Sequence, residues 1–285
     1  MSMNRLVGYL HLMRPVNCLM MGFAVAVGAA IANPANWTTP RLNVAYGFVT
    51  AVMLTAASMV INDYYDREID AVNEPNRPIP SGAVRPKGAL VFASILTAVG
   101  FVAAYMTNLY CLLAAIVAWL VFSAYTTAGK RSGLLGNFLV SACVAIPFVY
   151  GSVAVLSFVN LNVLLFVLMV FMSNTGREIT KGIVDVQGDK KQGVKTLAVR
   201  YGEKKAALAA SLFYLSAVAL SALPWIWGIV SVWFLPIVIV TDVGLVLSSY
   251  MILRDCTREN ARRVKRSVLL WFLFGLFSFV AGAAW

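Results

Sequence analysis

The sequence predicts an all-α, polytopic membrane protein with nine transmembrane helices, and three observations predict it. Of its 285 residues 60% are hydrophobic and 12% charged, with a mean hydropathy of +0.80, whereas soluble domains carry about 25% charged residues. Apolar runs long enough to cross a hydrocarbon core of about 30 Å, which takes about 20 helical residues, recur nine times. The basic residues between those runs segregate to one side.

The runs cover approximately 16–33, 42–62, 89–107, 109–125, 135–154, 159–175, 206–223, 230–250 and 267–284. The first starts after Arg14-Pro15 and is long, with no small-residue cleavage site before the second, so a cleaved leader is not expected. Little more than Thr107 and Asn108 divides the third from the fourth. With the N-terminus in the cytoplasm, nine crossings put every Lys and Arg except Arg41 on the cytoplasmic side and Trp285 outside. That partition satisfies the positive-inside rule, and a missed helix would scramble it.

Outer loops are short, roughly 34–41, 108, 155–158 and 224–229; the cytoplasmic segments 63–88 and 176–205 are long and hold much of the charge. Of the 12 acids only Asp242 lies within a span. Loops of this length are usually functional or disordered, and the composition of these two is too specific for linkers. Segment 73–88, NEPNRPIPSGAVRPKG, is stiffened by Pro75, Pro78, Pro80 and Pro86 and reads as a rigid cap carrying Arg77, Arg85 and Lys87. The net charge of +11 is interrupted by membrane spans and forms no aromatic-interleaved soluble surface, which argues against nucleic acid and for anionic lipids and phosphorylated ligands. Cys18, Cys111, Cys143 and Cys256 show neither a CxxC pair nor ligand spacing and read as packing residues. His11 is the only histidine, which excludes multi-histidine metal chemistry.

Two acidic motifs end apolar runs. In NDYYDREID, residues 62–70, Asn62, Asp66 and Asp70 stand at i, i+4 and i+8 and share one helix face, with Asp63, Arg67 and Glu68 turned elsewhere. Asp185 and Asp189 repeat the spacing, and Glu178 and Lys181 extend the same stripe. Carboxylates clustered this way repel one another, and each would cost roughly 2.5–3.5 kcal/mol at a membrane helix centre, less near its end. They need a cation. A small set of hard oxygen ligands suits Mg²⁺, which keeps room for water and phosphate oxygens. Facing stripes would let the ions bridge a diphosphate. Candidate phosphate partners are Arg14, Arg67, Arg77, Lys130, Arg131, Arg177, Lys181, Lys190 and Lys191. Tyr64 and Tyr65 read as interfacial anchors.

The order NxxxDxxxD at 62–70, NRPIPSG at 76–82 and DxxxD at 185–189 resembles the UbiA superfamily of intramembrane prenyltransferases, over nearly the whole chain. Within it, RPVN at 14–17, KRSGLLGN at 130–137 and the segment 176–202 are most similar to the archaeal digeranylgeranylglyceryl phosphate synthases. The resemblance implies helices around a central cavity that opens to lipid, with a cytoplasmic cap from the loops after helices 2 and 6, all in one domain spanning 1–285. It implies Mg²⁺ on Asn62, Asp66, Asp70, Asp185 and Asp189, an isoprenyl diphosphate donor, and ionisation to an allylic cation captured by a lipid-like phosphorylated acceptor. Tyr125 and Lys130 correspond to a tyrosine and lysine that contact the donor, although they are five apart where many members have four. A twenty-carbon tail, at about 0.8 kcal/mol per buried CH₂, gives a physical reason to hold such a site in a membrane.

For an acceptor phosphate the candidates are Arg14, Lys181 and the lysines at 190–195. Glu178 either takes the proton of the attacking hydroxyl or orients Lys181. Asn17 either hydrogen-bonds the acceptor or caps the first helix. An aromatic acceptor such as 4-hydroxybenzoate is the alternative within the family, and a secondary transporter the alternative outside it. A transporter places ionisable groups inside its spans; here only Asp242 does so, with Thr241 and Ser248 as its expected partners. The run 258–266, RENARRVKR, reads as a topology signal rather than an acidic-lipid site.

Overall fold

Long apolar runs keep every backbone hydrogen bond inside one segment, which is the arrangement hydrocarbon tolerates. The computed structural model describes residues 5–36, 41–127, 129, 132–191 and 193–283. Lys130, Arg131 and Trp285 lie outside the described residues. A short helix α1 (Arg5–Met13) precedes α2 (Pro15–Ala32), α3 (Arg41–Tyr65), the short α4 (Arg67–Asn73), α5 (Pro86–Thr107), α6 (Leu109–Thr127) and α7 (Leu134–Leu156). Then follow α8 (Leu161–Val184), the short α9 (Val186–Lys191) and α10 (Leu197–Tyr201), α11 (Glu203–Ser221), one turn α12 (Leu223–Ile226), α13 (Phe234–Arg254) and α14 (Arg258–Ala283). Among the described residues nine helices are long and apolar enough to cross a membrane, as expected. The protein is a multi-pass, all-α membrane protein.

The apolar runs underestimate two helices. The sixth extends past 175 to Val184 and the ninth begins at Arg258 rather than near 267. Hydropathy marks only the hydrocarbon crossing; a helix continues beyond it wherever one apolar face still packs, and Ile179, Ile183 and Val184 do so in one cluster with Ala261, Val264 and Val268.

The proline-rich segment is fastened to the bundle. Pro86 occupies the first turn of α5, where its missing N–H costs nothing. The Val84 N–H donates to the Pro78 carbonyl at 2.9 Å. Ile79 and Val84 are buried with Leu12 of α1, Ala56 and Val60 of α3 and Ala89 of α5.

Elsewhere small and polar side chains draw the helices together, because apolar burial gives little drive between helices in lipid. The Tyr150 hydroxyl of α7 donates to Thr50 of α3 at 3.3 Å and to Thr107 of α5 at 3.2 Å. Asn174 Nδ2 and Thr175 Oγ1 of α8 donate to Ser141 Oγ of α7 at 3.1 and 2.9 Å. Gly28 of α2 and Gly151 of α7 meet backbone to backbone: a Cβ on Gly28 would strike the Phe148 carbonyl, and one on Gly151 the Val25 carbonyl. Gly151→Ala should therefore destabilise the fold by about 1–3 kcal/mol through overpacking, seen as a lower Tm in detergent. Gly275→Ala, whose Cβ would find only ordinary contacts with Thr241 at 3.5 Å and beyond, should leave Tm unchanged.

Candidate active site

The first half of the site forms where α1, α2, α3 and the proline-rich segment converge. Arg14, between α1 and α2, adopts φ 52° and ψ 68°, a left-handed conformation non-glycine residues seldom take. The following proline disfavours a helical Arg14, and the turn sends its guanidinium across to α3. There Arg14 Nη2 donates to Asp63 Oδ1 at 2.6 Å. Arg77 approaches from the proline-rich segment, 3.6 Å from Asp63 Oδ1 and 2.6 Å from Asp70 Oδ2. Asp63 and Asp70 are buried, 5% and 6% exposed, so each needs a cation to offset its lost hydration. Burial pushes the Asp70 carboxyl above its usual range, against the pull of Arg77. Burial alone would lower the Arg77 guanidinium, but Asp70 and Asp63 outweigh it and hold it above its usual range.

This corrects the position expected for Asp63. The helix does not continue through the motif: α3 ends at Tyr65, and Asp66 sits at the joint with α4. The i→i+4 hydrogen bonds persist, Asp66 N–H to Asn62 O at 2.9 Å and Asp70 N–H to Asp66 O at 2.8 Å, so the stripe keeps its spacing. Asp63 nevertheless shares the pocket, within electrostatic reach of Asp66 and Asp70.

The second half repeats the device. Asp185 terminates α8 with φ −99° and ψ 6°, close to Asp66 at −85° and −2°, and the Asp189 N–H donates to the Asp185 carbonyl at 2.9 Å. Seven residues before Asp185 the buried Glu178 is engaged on both oxygens, Oε1 by Arg177 Nη1 at 3.2 Å and Oε2 by Lys181 Nζ at 3.4 Å. Arg177 Nε is buried with no hydrogen-bond partner among the described residues. Tyr125 links the halves, standing within electrostatic reach of Asp66 as well as Glu178 and Lys181.

Other expected residues are placed differently. Arg67 turns back on its own helix end: it donates to the Tyr64 carbonyl at 2.9 Å and to Glu68 at 3.3 Å, with its guanidinium 4.6 Å from the Tyr64 ring centre. Lys190 and Lys191 are exposed on α9. Asn17 is not the cap of α2, since Arg14 holds that position and Asn17 lies in the first turn.

Three features escaped the sequence reading. Asp63 is one. Lys265 of α14, counted there within a topology signal, is half-buried beside Arg177, Glu178, Lys181 and Asp185; its position at i+4 from Ala261 and i−3 from Val268, both buried against α8, was the signal available. The third is a cavity of about 90 Å³ deeper in the bundle, bounded by α2, α7, α8, α11, α13 and α14, among them Met21, Ser173, Asp242, Phe272 and Gly275. Asp242 accepts a hydrogen bond from Ser221 of α11 at 2.7 Å, not from the expected Thr241 or Ser248, which donate instead to the backbone carbonyls of Trp271 and Gly244.

The residues fit Mg²⁺. Asn62 Oδ1 is buried at the first motif with no hydrogen-bond partner among the described residues, a hard neutral oxygen lacking a donor or cation. Mg²⁺ is bound through one or two carboxylates plus phosphate and water, and among the described residues no group of three His, Cys, Asp or Glu is poised for a metal.

Removing one partner of a buried ion pair leaves an uncompensated charge. Arg77→Ala should therefore destabilise the protein by about 1–3 kcal/mol, the low end reflecting a guanidinium 36% exposed. Denaturant or thermal unfolding in detergent measures the loss, and Asp70→Asn, which removes the carboxylate left without its 2.6 Å partner, should recover part of it in a double-mutant cycle.

Comparison with known proteins places this geometry. Residues 20–276 match the UbiA prenyltransferase family. The digeranylgeranylglyceryl phosphate synthases of Archaeoglobus fulgidus and Methanopyrus kandleri are 35% and 37% identical, over 99% and 96% of this chain and 98% of each relative. A solved structure concerned with digeranylgeranylglyceryl phosphate synthase in membranes is 32% identical over 99% of both chains, with a TM-score of 0.76. A UbiA homologue from Archaeoglobus fulgidus bound to GPP and Mg²⁺ shares the fold at a TM-score of 0.64 and 19% identity, over 96% of this chain and 99% of that one. The chain belongs to the UbiA prenyltransferase family.

Proposed function

We propose that this protein transfers a geranylgeranyl group from geranylgeranyl diphosphate to the free hydroxyl of geranylgeranylglyceryl phosphate, with the whole chain serving as one prenyltransferase domain. The observation that carries the reading is the pairing of two helix-end aspartate motifs, each with its helix broken at the first aspartate of DxxxD, in a chain more than 30% identical to full-length synthases of that product. On this reading the N-terminus and both motifs face the cytoplasm, where the basic residues gather.

Asn62, Asp66 and Asp70 on one side and Asp185 and Asp189 on the other would hold Mg²⁺, which supplies charge neutralisation to the departing diphosphate. Arg77 keeps Asp70 in place, and through Asp63 the same guanidinium and Arg14 lock the cap onto the helices. Tyr125, within electrostatic reach of both motifs, would contact the donor between them. Ionisation of the allylic C–O bond sends its electron pair to the diphosphate; the acceptor hydroxyl then bonds to the cationic carbon and gives its proton to the released diphosphate. Apolar helix faces keep water from the cation meanwhile. Glu178, held on both oxygens, orients Arg177 and Lys181 rather than taking the proton.

Purified protein given radiolabelled geranylgeranyl diphosphate, geranylgeranylglyceryl phosphate and Mg²⁺ should form the doubly prenylated product, lose the activity in EDTA and regain it with Mg²⁺. Asp66→Ala and Asp185→Ala should each lower kcat at least about 100-fold, the scale of losing preorganised charge stabilisation, while retaining expression and Tm. Transfer to 4-hydroxybenzoate with none to geranylgeranylglyceryl phosphate would replace this acceptor with an aromatic one.

A further inference from the structure

Four basic residues lie between 262 and 266 on α14, and only one of them faces inward. Arg262, Arg263 and Arg266 are exposed, with Arg263 paired to Glu259 at 2.6 Å. Lys265 is half-buried on the face where Ala261, Val264 and Val268 pack against α8, beside Arg177 and Lys181. The end of α14 is fixed there, since Arg258 Nε donates to the Val184 carbonyl at 3.1 Å. Arg177, Lys181 and Lys265 thus face Glu178 and Asp185, and Arg177 keeps a buried Nε without a partner. An excess of cations with a spare donor suits an anion.

The helices that carry these cations also line the cavity. At about 1.5 Å rise per residue, Ser173 lies about 12 Å below Lys181 on α8, and Phe272 about 10 Å below Lys265 on α14. The cavity walls are largely apolar and come from α2, α7, α8, α11, α13 and α14, with no lining residue from α3, the helix of the first aspartate motif. The α8 and α14 walls of the cavity lead up to these cations, and its α2 wall leads up to Arg14; a chain occupying it can hang from a headgroup on the α8–α14 side, whereas the donor diphosphate has to reach both motifs.

We propose that Lys265, together with Arg177 and Lys181, binds the phosphate of the lipid-like acceptor, and that part of the acceptor's isoprenoid tail descends between α8 and α14 into the cavity near Gly275. The proposal rests on the acceptor assigned under the proposed function and adds a binding residue and a tail pocket to it. Lysine at this position supplies a point charge on a flexible stem, so arginine should substitute for it.

Binding of geranylgeranylglyceryl phosphate and of geranylgeranylglycerol, its form without phosphate, to the full chain tests this by calorimetry in detergent without donor or Mg²⁺. Lys265→Ala should weaken the phosphorylated lipid about tenfold or more, the scale of one charged hydrogen bond, and leave geranylgeranylglycerol unchanged; Lys265→Arg should restore affinity. Gly275→Leu, whose Cβ is accommodated beside Thr241, should weaken both lipids. In steady state Lys265→Ala should raise the acceptor KM and not the donor KM. Equal weakening of the two lipids by Lys265→Ala, a raised donor KM, or wild-type affinity in both variants would overturn the proposal. Wild-type protein that bound neither lipid would instead overturn the acceptor assignment, and this proposal with it.

Discussion

A carboxylate buried where a membrane helix leaves the hydrocarbon must be met by a cation, and Asp63 is met by two. Arg14 arrives from the joint between α1 and α2, Arg77 from the proline-rich segment, and the second also holds Asp70. Three separate pieces of chain are thereby committed to one another at the membrane surface. The desolvation of each charge is costly alone, and the arrangement is stable only when all members are present. Arg14 accepts an unfavourable backbone conformation to take part, which places the strain at the site rather than in the bundle. The apolar contacts of Ile79 and Val84 hold the same segment from beneath.

The two aspartate motifs share a local solution and differ in charge environment. Both break a helix at the first aspartate of DxxxD while keeping the i→i+4 bonds on either side. The helix ends there and the side-chain spacing survives. Around the first motif, Asp63, Asp66 and Asp70 outnumber Arg14 and Arg77; around the second, Arg177, Lys181 and Lys265 stand against Glu178, Asp185 and Asp189. The aspartates of both arrangements suit a metal ion, and the additional cation of the second suits a phosphate beside it. Tyr125 is the point at which the two environments meet.

Below this layer the bundle is held by means suited to lipid. Close backbone approach at Gly28 and Gly151, and hydroxyl pairs such as Thr180 with Tyr214 at 3.0 Å, take over the role that apolar burial plays in water. Asp242 belongs to this set, satisfied by Ser221, and it also gives the cavity one of its few polar groups. Ionisable groups inside a membrane protein mark binding sites or pathways by default; here a single hydrogen-bonded aspartate accompanies an otherwise apolar pocket.

The sequence by itself determined the number of crossing helices, the all-α class and the two acidic stripes, because hydropathy and i, i+4 spacing are properties of near neighbours along the chain. It also exposed the prolines that exclude a helix over residues 75–85, since their effect on the backbone is local. Asp63 could not be assigned from spacing: a helical wheel turns it from Asn62 and Asp66, and only Arg14 and Arg77, brought in by packing, give it a place. Lys265 stood in a run of basic residues whose members are equivalent in composition, and the face buried against α8 distinguishes it from Arg262, Arg263 and Arg266. The partner of Asp242 likewise lay on another helix, 21 residues away. Pairings of this kind depend on which helices touch, and that is decided by the packing of the whole bundle rather than by any segment of it.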